Sequence, residues 1–600
     1  MKTKRMNLKT STTGKGLHAL AILLVLATAH TVFAAGVIND GRPGVPPHQK
    51  FSKDLGYTHA KGGLVDVIVQ YRTTPTSAHY VKMASRGALV KSKLPGIHAA
   101  AFRIPVSAIP QLESDPDILY VTPDRPVQLH SIPDYEPYAS AVTADVAAQQ
   151  YALDGTGVGV AVIDSGIADH PDLHNGAGVS RVVYSQSFIP GVTSAVDAYG
   201  HGTHVAGILG GNGTASGNGS GYSIQFSGIA KNVNMINLRV LDQNGAGTDS
   251  EVIAAIQQAI ALKSQYNIGV INLSLGRPIF ESYTLDPLCQ AVEQAWQAGI
   301  VVVVAAGNSG RDNSQNTLGF ATIDAPGNDP YVITVGATRT FDTASRVDDA
   351  IASYSSKGPT LLDHIVKPDI VAPGNRMISL IDSGSTLDTE YPSLEIAPDA
   401  CSAGSTCPTK YFRLSGTSMA TPVVSGAVAL MLEQNPGLTP DVVKARLMKT
   451  AWKAFGVYCR SFDIFNNEYN NQYDLFTYGA GYLDVDQALS STDVASGLAL
   501  SPTAYYNAIN HTISIQNTGS SNLASSVIWG NSVVWGTSVV WGNSVISANS
   551  VIWGNSVIWG NSVIWGQSSD AGFSVIWGQS VVWGNSNVTS AYSDSQDGEN

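Results

Sequence analysis

The chain has 600 residues, more than one core accommodates, and carries 34 Lys and Arg against 46 Asp and Glu. Its formal net charge of −12 argues against a nucleic-acid partner, whose phosphates demand a basic face. Four cysteines in this length fit an oxidising compartment but do not make a disulfide scaffold.

Residues 1–34 read as an export signal. Lys2, Lys4, Arg5, Lys9 and Lys15 precede an apolar run from Ala19 to Phe33, and Val32 and Ala34 offer small residues for cleavage. The run is shorter than the roughly 20 residues needed to cross a bilayer. The expectation is a secreted or cell-surface protein. Residues 35–130 alternate between strand and helix signals: LVDVIVQY as a strand, SAHYVKMASRGALVK as a helix, HAAAFRIPV as a strand, VSAIPQLES as a short helix and ILYVTP as a strand. That order predicts a small α/β unit. The unit holds 11 basic residues against 7 acidic ones, and residues 131–600 hold 18 against 39, so opposite charges favour docking of one on the other.

Residues 140–490 form the main domain. GVGVAVIDSG, NMINLRVLD, GVINLSLG, IVVVVAAGN and YVITVGA are β-branched runs, with helical stretches near 203–210, 250–263 and 286–298 between them. Strands apolar on both faces, alternating with helices, predict an α/β fold with a parallel sheet covered by helices on both faces. Sites in such sheets lie beyond the carboxyl ends of the strands, where Asp164, Ser274, Gly276 and Asn308 fall. Cys401 and Cys407 lie in a Gly/Ser-rich loop and are the pair expected to bridge. Spacing leaves open whether Cys289 pairs with Cys459 or both remain free buried thiols. Residues 491–526 are a Ser/Asn/Ala-rich connector. From 527 to 586 the chain repeats every six residues as SVIWGN and close variants, with Trp529, Trp535, Trp541, Trp553, Trp559, Trp565, Trp577 and Trp583 in one phase. An even period suits extended structure, either a meander of short hairpins or a narrow β-solenoid. Residues 587–600 are an acidic tail that, with the repeats, is expected to touch a cell surface or other chains.

The stretch RLSGTSMATPVVSGAVALMLEQ, from Arg413 to Gln434, is apolar almost all round and reads as a buried helix. Pro422 near its start is expected to fall where backbone N–H groups lack intrahelical partners. Its polar beginning is unexplained by packing. Ser418 there is a nucleophile candidate, because free N–H groups and the positive end of the dipole favour developing negative charge. His201, in YGHGTHVAGILGG, is the base candidate. His204 three residues on invites a metal reading, but no Glu completes an HExxH site, so His204 is taken as structural and no metal ligand is assigned. Asp164, ending the first buried strand in VAVIDSG, can hold the imidazole tautomer. Asn308, in VVVVAAGNSG, can donate to an oxyanion beside the Ser418 N–H.

Together DSG, HGTHVAG, AAGN and GTSMATP, in the order Asp, His, Asn, Ser, resemble the subtilisin-like serine peptidases, or subtilases. HPDL, INLSLG, YSSKGP and KPDIVAPG add to the resemblance, which covers about 150–485. It implies a subtilisin-like fold, a secreted endopeptidase made as a zymogen, and an extended peptide substrate. Ser274, Leu275 and Gly276 match one of the two segments that clamp substrate in the family, and Gly245, Ala246 and Gly247 match the other. Ala305, Ala306 and Gly307 match the wall of the first specificity pocket, where small residues leave room for large apolar side chains before the scissile bond. The unit at 35–130 resembles the family's inhibitory propeptide, cut near 125–140. Asp172 matches a calcium-binding position of many members. Its spacing from Asp164 is one residue short, however, and GNGTASGNGSGYSIQFSG replaces the family's calcium loop. The expectation is catalysis without a cofactor, and both departures weigh against structural calcium. A rival reading, an adhesive protein with an inert peptidase fold, is disfavoured because all four catalytic positions are intact.

Overall fold

A computed structural model of the chain describes residues 50–52, 55, 63–129, 140–217, 220, 222, 224–314, 317–341, 343–396, 411–455, 458–462, 467–493 and 497–507. Beyond them it describes strands at 512–516, 545–547, 551–553 and 557–559. The export-signal segment, Cys401 and Cys407, the acidic tail and most of the repeats lie outside the described residues. Met1–Phe51 and Ser52–Asn600 are separate compact units, and the second holds all that follows. Among the described residues no helix is long and apolar enough to cross a membrane.

The N-terminal block is built from β1 (Leu64–Tyr71), α1 (Ser77–Ala84), β2 (Leu89–Leu94), β3 (Ala99–Pro105) and β4 (Ile118–Pro123). Its sheet is antiparallel throughout, in the order β2-β3-β1-β4. The helix expected to run on into ALVK stops at Ala84, and Gly87, at φ +81°, turns the chain into β2. The sequence hides this strand because β2 is an edge: LVKSKL has no clean apolar alternation, and only Leu94 is buried. After β4 the chain leaves the block as β5 (Pro126–Leu129).

The main domain follows as β6 (Gly159–Asp164), β7 (Val182–Ser187), α2 (His201–Gly210), β8 (Asn234–Arg239), β9 (Ala246–Thr248), α3 (Asp249–Tyr266), β10 (Ile268–Leu273), β11 (Leu275–Gly276), α4 (Pro287–Gln297), β12 (Val301–Ala305), β13 (Ile333–Arg339), β14 (Ala350–Ile351), β15 (Ile370–Pro373) and α5 (Thr417–Gln434). Its sheet runs β14-β13-β12-β10-β6-β8-β7, with β15 also on β13. Every pairing is parallel except β13 with β14, so the sheet is mostly rather than wholly parallel. Central strands such as β6 and β12 are buried along their whole length, which is why they read as unbroken β-branched runs. From β6 the chain goes out to the edge strand β7, comes back to place β8 between the two, and then crosses to β10 on the other side of β6. The strand order therefore reverses at β6, and a crevice opens beyond its carboxyl end.

Packing of this domain continues past residue 490, where the sequence had drawn its end. Ala499, Ser501, Thr503 and Ala504 are buried. Ser501 N donates to Pro330 O, Val366 N to Pro502 O and Ala504 N to His364 O, at 2.8–2.9 Å. Cys289 is a free buried thiol whose Sγ lies 3.3 Å from Asn328 Oδ1, so it forms no bridge to Cys459. In the tail, strands 551–553 and 557–559 pair antiparallel, as a short hairpin does.

Candidate active site

The carboxyl end of β6 and the start of α2 meet at the crevice. Asp164 is the last residue of β6 and His201 the first of α2. Close approach of the two elements requires Gly202, where a Cβ would lie 2.2 Å from Gly166 O and 3.2 Å from the Asp164 Cβ. His201 Nδ1 sits 2.8 Å from Asp164 Oδ1, and both side chains are fully buried. A carboxylate at that distance fixes the proton on Nδ1 and leaves Nε2 as an acceptor. Nε2 has no protein partner.

Asp197, which sequence reasoning passed over, holds this pair in place. Its Oδ1 accepts from Gly200 N at 2.7 Å and Ser165 Oγ at 2.8 Å, and its Oδ2 accepts from Thr203 N and Oγ1 at 2.8 and 2.7 Å. It thereby satisfies free donors at the start of α2. Ser165 Oγ in turn accepts from Gly202 N at 2.9 Å. Complete burial pushes the Asp197 carboxyl above its ordinary range, against the pull of these donors. The available signal was a carboxylate just before a helix start, too common to single out. His204 lies one turn further along α2. Its Nε2 is 3.0 Å from Phe412 O, and burial drives its pKa down to about 3, which suits a neutral structural role.

Ser418 is the second residue of α5, a helix buried from Thr417 to Leu432. The sequence expectation for Pro422 needs correction. It lies inside the helix, past the first turn, so the N–H that would bond Ser418 O is missing. Ser274 Oγ replaces it, donating to Ser418 O at 2.8 Å. Ser418 Oγ returns the bond, donating to Ser274 O at 3.0 Å. The hydroxyl is thus turned onto a backbone carbonyl rather than hydrogen-bonded to His201.

Asn308 follows β12. Its Oδ1 accepts from Thr417 N at 3.0 Å and Thr417 Oγ1 at 3.1 Å. These bonds orient the amide, and its buried Nδ2 is left without a partner. A buried amide donor held beside the first turn of α5 is positioned to meet negative charge. Ala305 and Ala306 are buried behind it, and Gly307 takes φ +105° with its Thr417-directed N–H 3.2 Å from Oγ1.

The two segments matched to a substrate clamp are already bridged. β5 lies between β9 and β11 in a three-stranded antiparallel sheet. Leu129 faces Leu275, and Gln128 faces both Gly276 and Ala246. Val127 faces Gly247 and Pro126 faces Thr248. Gly245 sits in the turn before β9 at φ +70°. Ser274, next along from Leu275, is the residue whose carbonyl receives the Ser418 hydroxyl. Asp172 makes its contacts elsewhere. Its Oδ1 accepts from Ala215 N at 2.6 Å and Oδ2 from Tyr411 OH at 2.5 Å, so both oxygens are engaged by protein donors. Among the described residues no group of three His, Cys, Asp or Glu side chains is arranged to hold a metal ion.

Serine protease AprX of Bacillus subtilis (strain 168) is 41% identical over 304 residues, which is 49% of this chain and 61% of AprX. Subtilisin E of the same organism is 32% identical over 390 residues, 64% of this chain and 84% of the subtilisin. The crystal structure of fervidolysin from Fervidobacterium pennivorans, described as a keratinolytic enzyme related to subtilisin, superimposes with a TM-score of 0.52 at 20% identity, covering 77% of this chain and 66% of that one. The chain thus spans less than two thirds of AprX and of fervidolysin. The model of the subtilase family matches residues 155–481, more than half of the chain, and the chain belongs to that family of subtilisin-like serine peptidases.

Proposed function

We propose that the chain is a secreted serine endopeptidase made as a zymogen, in which Asp164, His201 and Ser418 act as the triad and Asn308 donates to the oxyanion. The observation that carries this reading is the buried 2.8 Å Asp164–His201 pair at the start of one helix, with Ser418 at the start of another and the unpartnered Asn308 amide beside it. In the proposed reaction His201 Nε2 takes the Ser418 proton as Oγ attacks the peptide carbonyl. Asp164 stabilises the imidazolium, and Asn308 Nδ2 with the Ser418 N–H holds the oxyanion. His201 then gives the proton to the leaving amine, and water completes hydrolysis of the acyl-enzyme.

The N-terminal block is the propeptide in this reading, and β5 lies where substrate would lie. β5 ends at Leu129 opposite Leu275, one residue short of Ser274, whose carbonyl already meets Ser418 Oγ. The cut is accordingly expected between residues 130 and 131, within the interval drawn from sequence. Large apolar side chains before the scissile bond remain the expected preference for foreign substrates. Secretion rests on the sequence of residues 1–34, and contact of the tail with surfaces or other chains on its repeats.

The processed chain should react with an organofluorophosphonate, with the label mapped to Ser418. Absence of label, under conditions that label a control subtilisin, would remove the reading.

A further inference from the structure

Between β4 and β5 the chain passes a carboxylate that neither the triad nor the backbone rails use. Glu281 lies in the loop between β11 and α4, with a side chain only 3% exposed. Arg125 meets it as a fork, Nη1 to Oε1 at 2.6 Å and Nη2 to Oε2 at 3.1 Å. Tyr120 OH and Thr122 Oγ1 also donate to it, at 2.8 and 3.0 Å. The ring of Phe280 lies 5.1 Å from the Arg125 guanidinium carbon, and its residue is 41% exposed. The neighbouring Arg277 is engaged by Asp249 and Asp286, so its guanidinium is not free to pair with Glu281. Arg125, Tyr120 and Thr122 all belong to the N-terminal segment. When that segment departs, Glu281 and Phe280 stay behind on the peptidase domain.

The register says what returns to them. Gln128 pairs with Gly276, and Arg125 stands three residues before it. Any extended peptide lying on the rails in this register brings its own residue at that position toward Glu281. We infer that Glu281 and Phe280 form a subsite for a guanidinium three residues before the one that faces Gly276, so that arginine there is selected in protein and peptide substrates. This rests on the peptidase reading above. A planar fork matches both carboxylate oxygens and stacks on a ring, whereas an ammonium is a point charge, so arginine is favoured over lysine.

The test uses two peptides copying residues 122–134, one with arginine and one with its neutral isostere citrulline at position 125, with cut sites mapped by mass spectrometry. Processed wild-type enzyme should cleave the arginine peptide with about ten-fold higher kcat/KM, the scale of one charge-assisted contact at a partly wet site. In Glu281→Gln the two values should lie within about two-fold, since the fork then meets no charge. If that variant does not fold, the wild-type preference should still shrink at high salt. Equal kcat/KM for both peptides with wild-type enzyme, or an undiminished preference in Glu281→Gln, overturns the subsite and leaves the peptidase reading standing. Hydrolysis of neither peptide overturns both.

Discussion

The two segments flanking the peptidase domain are held to it by different physics. On the N-terminal side, β5 shares backbone hydrogen bonds with β9 and β11. Asp124 caps α3, accepting from Ser250 N at 2.8 Å and Ser250 Oγ at 2.6 Å, and Arg125 meets Glu281. Each group satisfied here lies beside the cleft, where water or another extended peptide can take over. On the C-terminal side the chain closes over buried charge. Lys444 Nζ donates to Pro330 O, Val332 O and Ser501 Oγ at 2.8–3.0 Å and lies 3.3 Å from Asp369, while Lys367 lies 2.7 Å from the same carboxylate. All three charged side chains are fully buried, and Ser501 donates to Asp369 at 2.5 Å. Burial pulls the Lys444 ammonium down to about 7, even with Asp369 opposing. Strand pairing at a cleft is exchangeable, whereas the cover of a buried ion cluster is not, because water cannot easily replace its partners.

The sharpest break in this comparison comes from shortening the chain. A protein ending at residue 490 should lose about 3 kcal/mol of stability by denaturant unfolding, because Lys444 and Asp369 then lack the Ser501 hydroxyl that meets both. One ending at residue 507 should match the full chain. Equal stability of both truncates would show that Ser501 and its neighbours are only laid on the surface. On the other side, Asp124→Ala removes one cap and should weaken docking of the block by about 1 kcal/mol, so activity appears roughly five-fold sooner after synthesis. An unchanged lag would mean that the cap contributes nothing to retention. A last test concerns a group outside both attachments. His204 titrates near 3 in the folded chain against an ordinary value of 6.5, so the unfolded chain takes up the proton first as pH falls. Its contribution is whole above pH 6.5 and is lost toward pH 3, at no more than about 1.4 kcal/mol per pH unit. His204→Gln should flatten that part of the stability–pH curve, and an unaltered slope would place the titration elsewhere.

Much of the site was legible because its residues end elements with strong signals. Asp164 ends a strand buried on both faces, Ser274 and Asn308 come just after two others, and His201 and Ser418 each lie at the start of a buried helix. Illegible features depend on partners distant in sequence. Asp197 acts through Ser165, 32 residues away, and Glu281 acts through Arg125, 156 residues away. Ser501 looks like any connector serine until the fold sets Asp369 against it, 132 residues back. The edge strands failed for a different reason. Both β2 and β7 are half-solvated, so their sequences lack the apolar runs that marked the central strands. Pro422 was placed a turn too early because sequence alone shows a proline near a helix start but not the Ser274 hydroxyl that makes it tolerable.

The central claim is that the chain's own strand occupies the cleft and is cut by its own serine. Full-length wild type and Ser418→Ala, made by cell-free synthesis with no other peptidase present, can be compared by intact mass and N-terminal sequencing. Wild type should yield a product beginning at Ser131, while Ser418→Ala stays joined to its N-terminal block. Cleavage of Ser418→Ala at the same bond and the same rate would contradict the account.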